Sequence, residues 1–180
     1  MIKKNISSFV VFLIVLFCVA MNTVSADACW EQGLNVAPAD TELEQSESFD
    51  TPAAFSAEVI RLVNVERTNN GLVALSEAKF LGDLAQIRAQ ESAVLFAHKR
   101  PDGRSCSTVY SDSGLTYRAA GENLAYGYST PSELVKAWMD SKSHRENILS
   151  KNFVHTKVGF YQNENGVIYC SMLFYTPQTP

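Results

Sequence analysis

Val167-Ile168-Tyr169-Cys170-Ser171-Met172-Leu173-Phe174-Tyr175, close to the end of the 180-residue chain, decides how it folds. A strand sends alternate side chains to opposite faces. One set here is Val167, Tyr169, Leu173 and Tyr175, and the other is Ile168, Cys170, Met172 and Phe174. Both faces are apolar, so both must be covered, which demands a layer of helix on either side of the sheet. Residues 157–162 read as a second strand, joined to the first through Asn163-Glu164-Asn165-Gly166 as a four-residue hairpin loop.

Further upstream, Phe55, Val59, Leu62, Val63 and Glu66 recur at spacings of three and four. The spacing predicts a helix from near Pro52 to Asn70-Gly71. A short extended piece over 72–75 follows. Ser76 is placed to cap a second helix, with Leu81, Leu84, Arg88, Glu91 and Leu95 along one face and an end before His98. Residues 99–117 are rich in Gly, Ser, Asp and Pro and read as a long loop, a length uncommon in a compact domain unless the loop has a task. Thr130-Pro131-Ser132-Glu133 is a capping box with proline at the first helical position, and Leu134, Val135, Trp138 and Met139 supply the buried face behind it. Ser143-His144-Arg145-Glu146 repeats the Ser-x-x-Glu spacing and predicts a short turn carrying Ile148 and Leu149. The apolar patterning from 54 to 175 covers about 120 residues, one ordinary domain with a core of its own.

The N-terminal part is different. Lys3 and Lys4, an apolar run over 9–20 and Val24-Ser25-Ala26 have the three-part layout of a secretory signal peptide, assigned to residues 1–26. The apolar run is about half of the ~20 residues a membrane-crossing helix needs, so membrane contact is expected only through that signal. Residues 27–53 form an acidic leader: between Asp27 and Asp50 there are seven acids and no basic residue, and no sustained apolar period. The formal net charge is −4, and loss of Lys3 and Lys4 with the signal makes it more negative. Such a chain repels phosphate backbones, and nucleic acid is not expected as a partner. A secreted location places Cys29, Cys106 and Cys170 where thiols tend to oxidise, with at most one intramolecular bridge among the three. A Cys106–Cys170 bridge is favoured over any bridge to Cys29, and three free thiols are the alternative.

Four strings follow one another along the domain: Val63-Asn64-Val65-Glu66-Arg67, then Ala97-His98-Lys99-Arg100-Pro101-Asp102-Gly103, then Gly121-Glu122-Asn123-Leu124-Ala125, then Trp138-Met139-Asp140-Ser141 running into Ser143-His144-Arg145-Glu146-Asn147-Ile148-Leu149. Val158-Gly159-Phe160 comes after them. In this order and at these gaps they resemble the CAP superfamily (cysteine-rich secretory protein, antigen 5 and pathogenesis-related 1 proteins; SCP domain) in its bacterial branch. The resemblance covers residues 54–177 and implies an α+β fold, a three-layer α-β-α sandwich with a central, mainly antiparallel sheet. It also implies a cleft in which two histidines and two glutamates converge. His98, Glu122 and His144 match three of the four, with Asn123 and Asn147 beside them. The fourth position, three residues after Trp138, holds Ser141 instead of glutamate, and Asp140 or Glu146 would have to stand in for it.

Two imidazoles and a carboxylate can ligate zinc or another divalent metal, with His98 and His144 as the expected ligands. The spacing has none of the tight His-Glu-x-x-His geometry of a zinc protease. Glu91 is a further acid near the cleft, equally suited to an intrahelical ion pair with Arg88. Nucleophilic catalysis has little support: no Gly-x-Ser-x-Gly elbow occurs, and Cys106, the one plausible cysteine nucleophile, would be silenced by a bridge to Cys170. The resemblance therefore implies a secreted binding module for an extracellular ligand: a lipid, a sterol, a wall component or a protein. The alternative is a metal-dependent hydrolase acting on peptides or cell-wall polymers through His98, His144 and Glu122.

Overall fold

The computed structural model describes Phe49 and residues 51–178; the segment expected to be a signal peptide and most of the expected acidic leader lie outside the described residues. Helix α1, Pro52–Asn69, opens on Thr51, whose side-chain oxygen accepts the Ala54 N–H at 3.1 Å, with proline in the first turn. Pro52 and Ala53, read from the sequence as the end of the leader, therefore belong to the domain, and Phe49 packs on its core. The helix stops where Gly71 takes a φ of 70°, a left-handed conformation that glycine adopts without a steric penalty.

Ser76 does not cap a helix. It pairs with His155 in a two-residue strand β1, Ser76–Glu77, which runs parallel to the third strand. A 3₁₀ turn, Lys79–Leu81, then leads into α2, Gly82–Val94, which has no side-chain cap bond. The 99–117 stretch contains a short helix α3, Thr108–Asp112, with buried Val109 and Tyr110. Residues 117–126 form a full strand β2, Tyr117–Tyr126, so the Gly121-Glu122-Asn123 string lies on a sheet and not in a loop. Helix α4, Pro131–Asp140, starts on the expected capping box, the Thr130 hydroxyl accepting the Glu133 N–H at 3.3 Å. Helix α5, Lys142–Ile148, takes Ser141 as its N-cap, and the capping box expected at Ser143 does not form. Strands β3, His155–Gln162, and β4, Ile168–Pro177, close the chain as the expected hairpin. Among the described residues no helix is long and apolar enough to cross a membrane.

The strand order is β1-β3-β4-β2, antiparallel except for the β1–β3 pair. The two-faced strand, β4, is central, and its pleat divides the core. Cys170, Met172 and Phe174 meet α1, α4 and α5 through Val59, Val63, Leu134, Trp138 and Ile148. Leu173 and Tyr175 meet the α2–α3 side through Leu81, Leu84, Ala85, Val109 and Tyr110. The fold is thus a three-layer α-β-α sandwich.

On the α2 side the approach is closest at Gly159, where an added Cβ would overlap the Ala85 carbonyl and stand 2.6 Å from the Gln86 amide nitrogen. Both obstacles are backbone, so neither can rotate away. Gly159→Ala should therefore destabilise the domain by about 3 kcal/mol, the upper part of the range for overpacked cores, read as a lower urea midpoint with an unchanged slope.

Candidate functional site

Helix α2 carries one cation on its buried face. The Arg88 side chain has no exposure, and it meets Glu122, whose side chain on β2 is 3% exposed. Arg88 Nε donates to Glu122 Oε1 at 2.7 Å and Nη2 to Oε2 at 3.2 Å, a two-pronged pair between helix layer and sheet. The rest of the guanidinium donates to Glu91 Oε2 at 2.6 Å and to the Ala97 carbonyl at 3.1 Å. Burial by itself would raise the pKa of Glu122, but hydrogen bonds from His98 and Arg88 outweigh it and hold the carboxyl below its ordinary value.

His98 follows α2 and sets its Nδ1 2.9 Å from Glu122 Oε2 while more than half of its ring stays in solvent. Hydrogen bonds to Cys106 and to Glu122 raise its pKa to about 9, against a smaller opposing effect of burial. Cys106 reaches this position because the loop folds back on itself: its N–H donates to the His98 carbonyl at 3.2 Å, and Lys99 bridges to Ser105. A chain of alternating charges fixes the loop to α2 and α3. Glu91 accepts from Arg100 at 2.7 Å, Arg100 donates to Asp112 at 2.6 Å, and Arg104 joins Asp112 and Asp102. Glu91 is thus an ion-pair link between Arg88 and Arg100.

His144 comes from α5, on the other side of the sheet edge. Burial, and then the charge of His98, lower its pKa, so the neutral ring is favoured. Asn123 and Asn147 locate it: Asn123, fully buried, donates to the His144 carbonyl at 3.1 Å, and Asn147 donates to Asn123 Oδ1 at 2.9 Å and to the Glu122 carbonyl at 3.2 Å. These two asparagines position the site through backbone groups. Asp140 and Glu146 do not replace the missing glutamate at Ser141; both are exposed, beside Lys136 and Lys142 of their own helices. His155 stands apart, with its ring against Phe80 and Tyr175.

The Cys106–Cys170 bridge is absent, and both cysteines are free thiols. The physical reason is the pleat. Cys170 points into the α1–α4 core, where burial pushes its thiol up to about 12, whereas Cys106 stands beside Glu122 on the α2 side of the sheet.

The ligating atoms of His98, Cys106 and Glu122 lie within 4.8 Å of one another; His144 is not in that group. The set suits a divalent ion poorly. Both Glu122 oxygens are occupied by a guanidinium that cannot lose its proton, and His98 holds a proton at neutral pH. Beside the polar cluster, Phe96, Leu124, Tyr126, Tyr128 and Trp138 line a cavity of about 260 Å³ with Ser141 and His144 on its wall. Phe96 and Tyr126 are 47% and 53% exposed, and their rings meet edge to face at 4.6 Å. Sequence reading missed Arg88 as the centre of the site and Cys106 as a member of it. The available signal for the first was one arginine among leucines on a helix face.

The sequence pattern of the cysteine-rich secretory protein family, CAP, matches residues 60–174, and the chain belongs to that family. It is 35% identical over 149 residues to the uncharacterized protein YkwD of Bacillus subtilis strain 168, covering 80% of this chain and 58% of that one. It is 26% identical over 104 residues to the uncharacterized membrane protein YlbC of the same organism, covering 57% of this chain and 30% of that one. The chain therefore spans less than two thirds of either relative. Among solved structures it is similar to an extracellular SCP-domain protein from Bacillus anthracis, with a TM-score of 0.61, 21% identity and coverage of 70% of this chain and 44% of that one. An outer surface protein of Borrelia burgdorferi gives a TM-score of 0.61 at 17% identity, covering 67% of this chain and 90% of that one. At these identities the structural likeness concerns the fold.

Glu122→Gln keeps the shape of the side chain but leaves the buried Arg88 without its counter-charge on the sheet. It should cost about 3 kcal/mol or more, measured by urea denaturation. His98 generates a pH dependence of opposite sense to that of a carboxylate. Its folded pKa, about 9, exceeds the ordinary 6.5, so the stabilisation is complete below 6.5 and is lost as pH rises through 9. The difference in unfolding midpoint between wild type and His98→Gln should shrink across that window.

Proposed function

We propose that this chain is an extracellular binding module that takes the apolar part of an amphipathic ligand into the aromatic cavity at the β2 edge and holds its polar part at His98 and His144. The supporting observation is the adjacency of the two surfaces: a cavity of about 260 Å³ lined by Phe96, Tyr126, Tyr128 and Trp138, with His144 on its wall. A cavity of that size is smaller than a drug-sized pocket and suits a segment of an acyl chain or one apolar side chain, not a whole sterol. The signal-peptide layout at residues 1–26 supports secretion, and the family resemblance supports a lipid, wall component or protein as the ligand.

The alternative, metal-dependent hydrolysis of peptides or wall polymers, has the clustering of His98, Cys106 and Glu122 in its favour. Arg88 counts against it, because a cation placed there competes with a buried guanidinium for the same carboxylate. Zinc calorimetry at neutral pH separates the two readings. A stoichiometric heat that disappears in His98→Ala would support the hydrolase.

Binding of a lauryl-chain zwitterionic detergent monomer, followed by Trp138 fluorescence in a Trp30→Phe background, tests the module itself. Phe96→Ala and Tyr126→Ala remove exposed rings from the rim and should each weaken binding about tenfold, equivalent to one well-packed aromatic contact of about 1.4 kcal/mol. Unchanged affinity in both variants would overturn the assignment of the cavity.

A further inference from the structure

The cysteine that the sequence suggested would be sealed in a disulfide is instead a partly exposed free thiol inside the polar cluster. Three features surround it. The Cys106 sulfur lies within 4.8 Å of the ligating atoms of both His98 and Glu122. His98 is in turn oriented by Glu122, at 2.9 Å, and Glu122 is held by the fully buried Arg88. The loop bearing the cysteine is fixed at both levels, by the backbone bond from Cys106 to the His98 carbonyl and by the ion pairs of Arg100 and Arg104. A nucleophile, an imidazole beside it and a third group that orients the imidazole form the arrangement that activates thiols. Cys170, by contrast, is enclosed in the core.

We propose that Cys106 is a reactive thiol, activated by His98 and oriented through Glu122, that exchanges with low-molecular-weight disulfides at the mouth of the cleft. The Cys106 sulfur gives up its proton to solvent beside the protonated His98 ring, which stabilises the resulting negative charge, and attacks one sulfur of the disulfide RS–SR. A Cys106–S–S–R bond forms as the RS–SR bond breaks, and the departing RS⁻ takes a proton from the His98 imidazolium, which regains one from solvent. The protein thiol is oxidised and one RS–H is released, so the small disulfide is the only oxidant needed. Glu122 acts through His98 and is a positioning residue. This inference is independent of what occupies the aromatic cavity.

The test uses the chain carrying Cys18→Ser and Cys29→Ser, which leaves Cys106 and Cys170, with dithiodipyridine as the disulfide and release of pyridinethione as the readout. At pH 6 the rate constant should exceed that of free glutathione by about tenfold or more, and peptide mass mapping should place the adduct on Cys106. His98→Gln, at an exposed ring, should lower the rate about tenfold while the variant still unfolds cooperatively. Glu122→Gln should shift the pH profile of the rate. A rate no faster than glutathione, an unchanged rate in His98→Gln, or an adduct on Cys170 in place of Cys106 would overturn the proposal.

Discussion

Arg88 and Glu122 meet where helix α2 crosses strand β2, and the rest of the site is arranged around that contact. A guanidinium with no solvent exposure is costly to bury unless its charge is compensated and its N–H groups are all directed at acceptors. Here Glu122 takes two of those groups, Glu91 a third and the Ala97 carbonyl a fourth. The consequences spread outward. Fixing Ala97 sets where the chain leaves α2, and so where His98 stands; fixing Glu91 recruits Arg100, and through Asp112 the whole 98–112 segment. Stability and site geometry therefore depend on the same interaction.

The sheet acts as a partition. Successive residues of β2 serve opposite layers: the Glu122 side chain faces α2 and Arg88, and the Asn123 side chain faces α5 and the His144 backbone. The two histidines reach the cleft from different layers, around the edge strand. That edge is also protected, since Asn147 donates to the Glu122 carbonyl and the Trp138 indole donates to the Leu124 carbonyl at 3.1 Å. Carbonyls that would otherwise be open to strand addition are satisfied by side chains. Trp138 thus has two roles, closing the edge and forming a wall of the aromatic cavity.

The electrostatics of the two imidazoles diverge for the same reason. His98 lies beside the carboxylate and the thiol and gains proton affinity; His144 lies in the less polar layer, near a charged His98, and loses it. A symmetric pair of neutral ligands, the requirement for a two-histidine metal site, is not what these environments favour. One protonated and one neutral ring suit hydrogen bonding to a polar group more readily than coordination of a cation.

Much of the architecture was legible in the sequence because it is written in short-range patterns. The apolar character of both faces of 167–175 implies a covered strand, Thr130-Pro131-Ser132-Glu133 implies a helix start, and Asn163-Glu164-Asn165-Gly166 implies a hairpin, since each depends on residues within one or two turns of chain. The four strings also carried the family, and with it His98, Glu122 and His144. Strand β2 was not legible, because Gly121-Glu122-Asn123 has the composition of a loop and becomes a strand only through its pairing with β4. The partners of Arg88 and Cys106 were decided by tertiary structure alone. Arg88 finds Glu122 at a separation of 34 residues, and Cys106 is kept from Cys170 by the face each occupies, a fact that exists only once the sheet has formed and its pleat has assigned every side chain a side.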